Sequence, residues 1–196
     1  MHPQTLEGGF ANPAADAAHA FRSVMEAVAR PGTIHEITGA RPPAPLSPAA
    51  GAVLLTLCDT DTPLYLAGAA DCDAVRAWLA FHTGAPLAGP SDCMFALGTW
   101  DALLPLSAYP KGSPEYPDRS ATLIVEAPAL SDEGAVLQGP GIRDTARLSL
   151  PDIGAFRQNR ALFPLGLDFL FTCDGRIAAL PRATRVAAPA EMAEAR

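Results

Sequence analysis

Lys111 is the only lysine in the chain, within Tyr109-Pro110-Lys111-Gly112-Ser113. An enzyme that uses pyridoxal phosphate must offer a lysine amine for its Schiff base, so here that duty would fall on Lys111 alone. The surrounding stretch from Tyr109 to Arg119 carries three prolines and one glycine and reads as a loop. An amine on such a loop stays protonated and is poorly held for covalent work. The residues therefore predict that the chain binds no pyridoxal phosphate.

Other groups suit anions. Arg182 and Arg185 follow the last strand in Leu180-Pro181-Arg182-Ala183-Thr184-Arg185. Their guanidinium forks match phosphate or phosphonate oxygens, and they match carboxylates within the fold or across a subunit interface equally well. Ion pairing is the reading we prefer. Gly139-Pro140-Gly141-Ile142-Arg143 offers Gly139 and Gly141 for close backbone approach to an anion, with Arg143 beside them. It lacks the Gly-Lys-Ser/Thr ending of a nucleotide loop, no G-x-G-x-x-G is present, and a turn between two strands is preferred. His82, in Phe81-His82-Thr83-Gly84, is the one candidate acid or base; an imidazole at a helix end bonded to carbonyls is the plainer account. His19 and His35 lack acidic or thiol neighbours at metal-ligand spacing, and His2 lies near the terminus. There is no Gly-x-Ser-x-Gly elbow and no His-Glu-x-x-His. Neither a catalytic set nor a metal site is expected. Cys58, Cys72, Cys93 and Cys173 are widely spaced, without a C-x-x-C pair, and read as reduced thiols of a cytoplasmic protein.

The composition bounds the partners. The 196 residues carry a formal charge of -7, the wrong sign for a nucleic-acid binder. Apolar residues make up 49% and charged ones 18%, which predicts a folded chain with apolar surface left for a partner. No apolar run approaches the ~20 residues of a membrane span, and the N-terminus does not read as a secretory signal.

The elements that must position these groups are legible from periodicity and caps. A helix is expected from Asp16 to Arg30, with Phe21, Val24, Met25 and Val28 on one face, stopped by Pro31-Gly32. Ser47-Pro48 opens a second helix, and Asp73 to His82 forms a third with Val75, Trp78, Leu79 and His82 on one side. Pro151 to Leu162 forms a fourth. Strands are expected at 33–37, 63–67, 93–97, 121–126, 136–138 and 146–150, with helical turns at 101–106. Asp168 to Cys173 and Arg176 to Leu180 pair as a hairpin across Asp174-Gly175, a I′-type turn signal. Helices alternate with strands and a hairpin closes the chain. That order predicts a three-layer α/β/α sandwich with a mixed sheet and helices on both faces, one domain over 1–186, and a frayed tail over 187–196.

Several segments in this order and spacing resemble one family. They are Ala20-Phe21-Arg22 with Ala29-Arg30-Pro31-Gly32, Leu54 to Asp59 followed by Asp61-Thr62-Pro63, and Phe81 to Leu87. Ala121-Thr122-Leu123-Ile124, Phe163 to Asp168 and Leu180-Pro181-Arg182 complete the series. The set resembles PhnH, a subunit of the bacterial carbon–phosphorus lyase machinery, from Phe21 to about Val186. Ala183 departs from it, since the family more often has a second threonine beside Thr184. The resemblance implies a fold like the large domain of pyridoxal phosphate-dependent transferases without their cofactor lysine. It also implies self-association as a homodimer and a core complex with PhnG, PhnI and PhnJ. That complex, using MgATP, joins an alkylphosphonate to the ribose C1 of ATP with release of adenine, forming alpha-D-ribose 1-methylphosphonate 5-triphosphate. The implied role of this chain is supporting, with chemistry shared among subunits. A stand-alone small-anion transferase and a phosphonate-binding module are the alternatives.

Overall fold

The computed structural model describes residues 7–189 and 191. Helix α1 spans Pro13–Ala29, and the two-residue strand β1 spans His35–Glu36. Then come α2 (Pro48–Leu57), β2 (Leu64–Leu66), α3 (Asp73–His82), β3 (Phe95–Thr99) and β4 (Thr122–Glu126). The second half holds β5 (Ala135–Gln138), β6 (Ala146–Leu148), α4 (Ile153–Ala161), β7 (Asp168–Cys173), β8 (Arg176–Leu180) and β9 (Arg185–Ala187). Single 3₁₀ turns lie at Gly68–Ala70, Asp101–Leu103 and Leu106–Ala108.

The main sheet has six strands in the order β1-β8-β7-β4-β3-β2. β2, β3, β4 and β7 run parallel, while β7–β8 and β8–β1 are antiparallel, so the fold is α/β with a mixed sheet. Strand alternation divides the core in two. Leu97, Ile124, Leu170, Ile177 and Ala179 face α1, α2 and α3. Leu123, Val125, Phe169, Phe171 and Leu180 face the other way, among residues of β5, β6, β9 and α4. Burial on both faces accounts for the nearly unbroken apolar runs of β4 and β7.

The second face corrects the expected sandwich. It is covered by a separate three-stranded sheet, β6-β5-β9, together with α4, rather than by a layer of helices. β5 reaches β9 across about 50 residues of sequence (Val136 opposite Ala187), a pairing no local pattern announces. The same pairing places Ala187 in a strand, and residues 190 and 192–196 of the tail expected to fray lie outside the described residues.

The helix ends follow the sequence. Asn12, Ser47 and Asp152 accept bonds from Ala15, Ala50 and Ala155 as N-caps, and proline occupies the first turn of α1 and α2. Of the apolar face formed by Phe21, Val24, Met25 and Val28, only Val24 is buried. Helix α1 packs Ala20, Val24 and Ala27 inward and leaves Phe21, Met25 and Val28 at 49%, 50% and 39% exposure. Alanine at the contact lets α1 lie close against α2 and β8, which the larger side chains would prevent. The hairpin turn also differs. Asp174 has φ of 51°, whereas Gly175 stays outside the left-handed region, so the turn does not have the two positive angles of type I′.

The sheet edges are short. β1 has two residues, and the outer side of Leu64 in β2 is occupied by the Pro86 carbonyl and the Ala88 N–H.

Candidate functional site

The parallel strands end together at Thr99, Glu126 and Cys173, and a cleft of about 1100 Å³ opens above them. Open α/β sheets bind ligands at such strand ends, and a helix N-terminus there is a ready anion site. Here α2 begins at the cleft with Ser47 and Pro48. Its donors are already taken. Ser47 N–H donates to Glu126 Oε1 (2.7 Å), Ala49 N–H to the Asp174 carbonyl (2.8 Å) and Ala50 N–H to Ser47 Oγ (3.1 Å), while Pro48 has no N–H. The place where a phosphate would sit is filled by the chain's own carboxylate.

Glu126 is the residue that the sequence reading missed. It closes β4, half-buried, with Oε2 accepting from the Thr172 hydroxyl (3.1 Å). Burial holds its carboxyl above the ordinary carboxylate range against the Ser47 and Thr172 hydrogen bonds, and Asp174 adds to the rise. Asp101 and Asp174 also line the cleft, and no lysine, arginine or histidine does among the described residues. The apolar wall includes Trp100 and Leu150.

The titration of Glu126 has a sign. Its folded pKa lies above the unfolded value of 4.5, so the folded state holds the proton more tightly. Its contribution to stability is therefore greatest below that value and declines as pH rises through the folded pKa. Chemical denaturation of the wild type and Glu126→Gln in parallel across the acidic range should show the difference moving in favour of the variant as pH rises. A difference constant with pH would mean that the carboxyl does not titrate as its burial requires.

Arg182 lies at the opposite end of the parallel strands, where they begin. Arg182 is bonded to Asp168, the first residue of β7: Nε reaches both carboxylate oxygens (3.2 and 3.1 Å) and NH2 reaches Oδ2. It also donates to the Pro117 carbonyl (2.6 Å) and to Ser120 Oγ. Arg182 therefore fastens the 109–120 loop to the sheet. Lys111 sits in that loop, bridged to Ser120 just before β4, and its carbonyl accepts from Gly166 N–H (3.0 Å). A five-residue strand separates this end of the sheet from the cleft, roughly 16 Å at the usual rise.

Gly139 and Arg185 are neighbours, because Gln138 pairs with Arg185 in register. Gly139 and Gly141 have φ of 142° and 79°, and a Cβ on Gly141 would lie 1.9 Å from the Ala29 carbonyl oxygen. The loop thus closes against the end of α1. Arg143 is 96% exposed, 3.9 Å from Asp144. Arg185 is exposed as well. His82 stands apart in the other layer, where its Nε2–H donates to the Glu7 carbonyl (3.2 Å), an acceptor it shares with Trp78 Nε1 (3.1 Å). The structure brings together Gly139 and Arg185 and leaves His82 and Arg182 in separate settings.

The four thiols are free. Burial pushes Cys58 up to about 12 and Cys93 up to about 11, which keeps both protonated and unsuited to nucleophilic work. Among the described residues no three His, Cys, Asp or Glu side chains are grouped to hold a metal ion, and no helix is long and apolar enough to cross a membrane.

These features define a mixed-sheet α/β protein with an acidic cleft at its parallel-strand ends and its best-placed guanidinium bonded internally. A model of the family described as bacterial phosphonate metabolism protein (PhnH) matches residues 8–187. A protein of Rhizobium meliloti (strain 1021) named alpha-D-ribose 1-methylphosphonate 5-triphosphate synthase subunit PhnH is 42% identical over 192 residues, 93% of this chain and 96% of its own. The chain belongs to the PhnH family.

Proposed function

We propose that this chain is a supporting subunit of a synthase complex that attaches an alkylphosphonate to the ribose C1 of ATP. In that reaction a phosphonate oxygen forms the bond to C1 while the bond to adenine breaks and adenine leaves. The observation that carries the reading is the 42% identity to a named synthase subunit over nearly the full length of both chains. The dispersal of the candidate groups supports it: the cleft is acidic, Arg182 is engaged by Asp168, and His82 lies in another layer. PhnG, PhnI and PhnJ are the partners we assign, in the cytoplasm, with MgATP brought to the complex as substrate. The exposed stripe of Phe21, Met25 and Val28 supports assembly, including self-association as a homodimer, because monomers rarely present grouped large apolar side chains.

We also read the single domain, with its mixed sheet, as related to the large domain of pyridoxal phosphate-dependent transferases but without their cofactor. The placement of Lys111 at the strand-start end of the sheet, opposite the cleft, supports that reading.

Co-expression of this chain with the other subunits is the test. A tagged form should recover them in a stable complex through size exclusion, and the complex should consume ATP and methylphosphonate with release of adenine. Recovery of the chain alone would remove the proposal.

A further inference from the structure

The acidic cleft has a partner chemistry of its own. Three carboxylates, Glu126, Asp101 and Asp174, meet apolar walls there, and the N–H groups of the α2 start are already bonded within the chain. Nothing on the cleft surface donates a positive charge among the described residues. A phosphate, phosphonate or triphosphate entering it would be repelled. A guanidinium or ammonium would be attracted, and the methylenes of its stem would cover the partly exposed Trp100 and Leu150. Prolines 45, 128 and 151 border the cleft and restrict the backbone around it. At about 1100 Å³ it exceeds the range of roughly 300–1000 Å³ usual for small-molecule sites.

We infer that this cleft receives an arginine- or lysine-bearing segment of a sister subunit, so that the protein's own acidic strand-end site serves as a socket for assembly. The inference rests on the complex reading above and names the surface that reading would use. Glu126 is fixed by Ser47 and Thr172 and supplies positioned acceptor oxygens, while the exposed Asp101 and Asp174 supply the charge. Such an arrangement orients a cationic side chain and suppresses acidic competitors.

The experiment uses the full chain and the co-purified complex of sister subunits, with affinity measured over a salt series. The variant is Asp101→Asn combined with Asp174→Asn. Asparagine tolerates the φ of 51° at 174, and the bond from Ala49 goes to the Asp174 backbone, so the fold is retained and is checked by thermal melting. Loss of about tenfold in affinity with a flatter salt dependence is expected. Wild-type affinity and salt slope in the variant would overturn the socket while leaving the complex reading standing. Failure of the wild-type chain itself to bind the sister subunits would overturn both. Spermidine and arginine methyl ester serve as small-cation probes. If either raises the melting temperature of the wild type but not of the variant, while complex affinity is unchanged, the cleft holds a small cationic ligand and the partner-segment inference fails.

Discussion

Replacing Phe156 by alanine is expected to lower the unfolding free energy by about 4 kcal/mol, the range for truncating a buried aromatic. Phe156 is 2% exposed and is the side chain through which α4 enters the second core. Its ring lies 4.9 Å from those of both Trp100 and Phe169, edge-on to the latter, and 5.9 Å from Phe171. Truncation removes these contacts together and leaves a void between the main sheet and α4. The backbone cannot close it readily, because Arg157 Nε and Arg160 Nε tie α4 to the Val186 and Ala183 carbonyls (2.9 and 3.1 Å). Urea titration checks the value. A loss below about 1 kcal/mol would mean that the α4 layer is loosely attached rather than part of the core. Phe156→Leu should recover most of the loss by refilling volume.

Arg182→Ala is expected to cost about 3 kcal/mol, at the low end of the range for breaking one side of a buried ion pair. The discount reflects exposure: the side chain of Arg182 is 14% exposed, but that of Asp168 is 32%. The variant leaves Asp168 with one bond, from Arg182 N–H (2.8 Å), and strips the Pro117 carbonyl and Ser120 hydroxyl of their donor. Lysine at 182 should restore less than half of the loss, because an ammonium cannot span both carboxylate oxygens and the loop carbonyl together. A second readout separates this role from ligand binding. Limited proteolysis should cut within 109–120 sooner in Arg182→Ala, with or without phosphonate present. Wild-type stability together with weakened phosphonate binding would instead return Arg182 to the anion-binding role.

The elements most legible in the sequence were those with local signals. Ser47-Pro48 marked the start of α2, Val75, Trp78 and Leu79 gave the buried side of α3, and Asp174-Gly175 located the β7–β8 turn. What the sequence did not convey depends on distance along the chain or on size rather than polarity. β5 and β9 are separated along the chain by β6, α4, β7 and β8, so the three-stranded sheet has no local signature. On α1, hydropathy ranked Phe21 and Met25 above Ala20 and Ala27, although helix packing favoured the small pair. Glu126 was hidden for a related reason. As the last residue of Thr-Leu-Ile-Val-Glu it reads as the polar end of a strand, and its bond to Ser47 spans 79 residues. The available signal was a carboxylate closing an otherwise apolar parallel strand, the position where open sheets carry function.

The brevity of the sheet edges governs how this protein meets other chains. β1 offers two residues, and in β2 the Leu64 N–H already donates to the Pro86 carbonyl while its carbonyl accepts from Ala88 N–H. Among the described residues of the main sheet another polypeptide therefore finds no long backbone rail on which to add itself as a further strand, the route by which many sheets recruit peptides and by which some aggregate. Recognition must instead be read from side-chain chemistry, and point substitutions on the surface can alter partner choice without disturbing the hydrogen-bonded frame beneath.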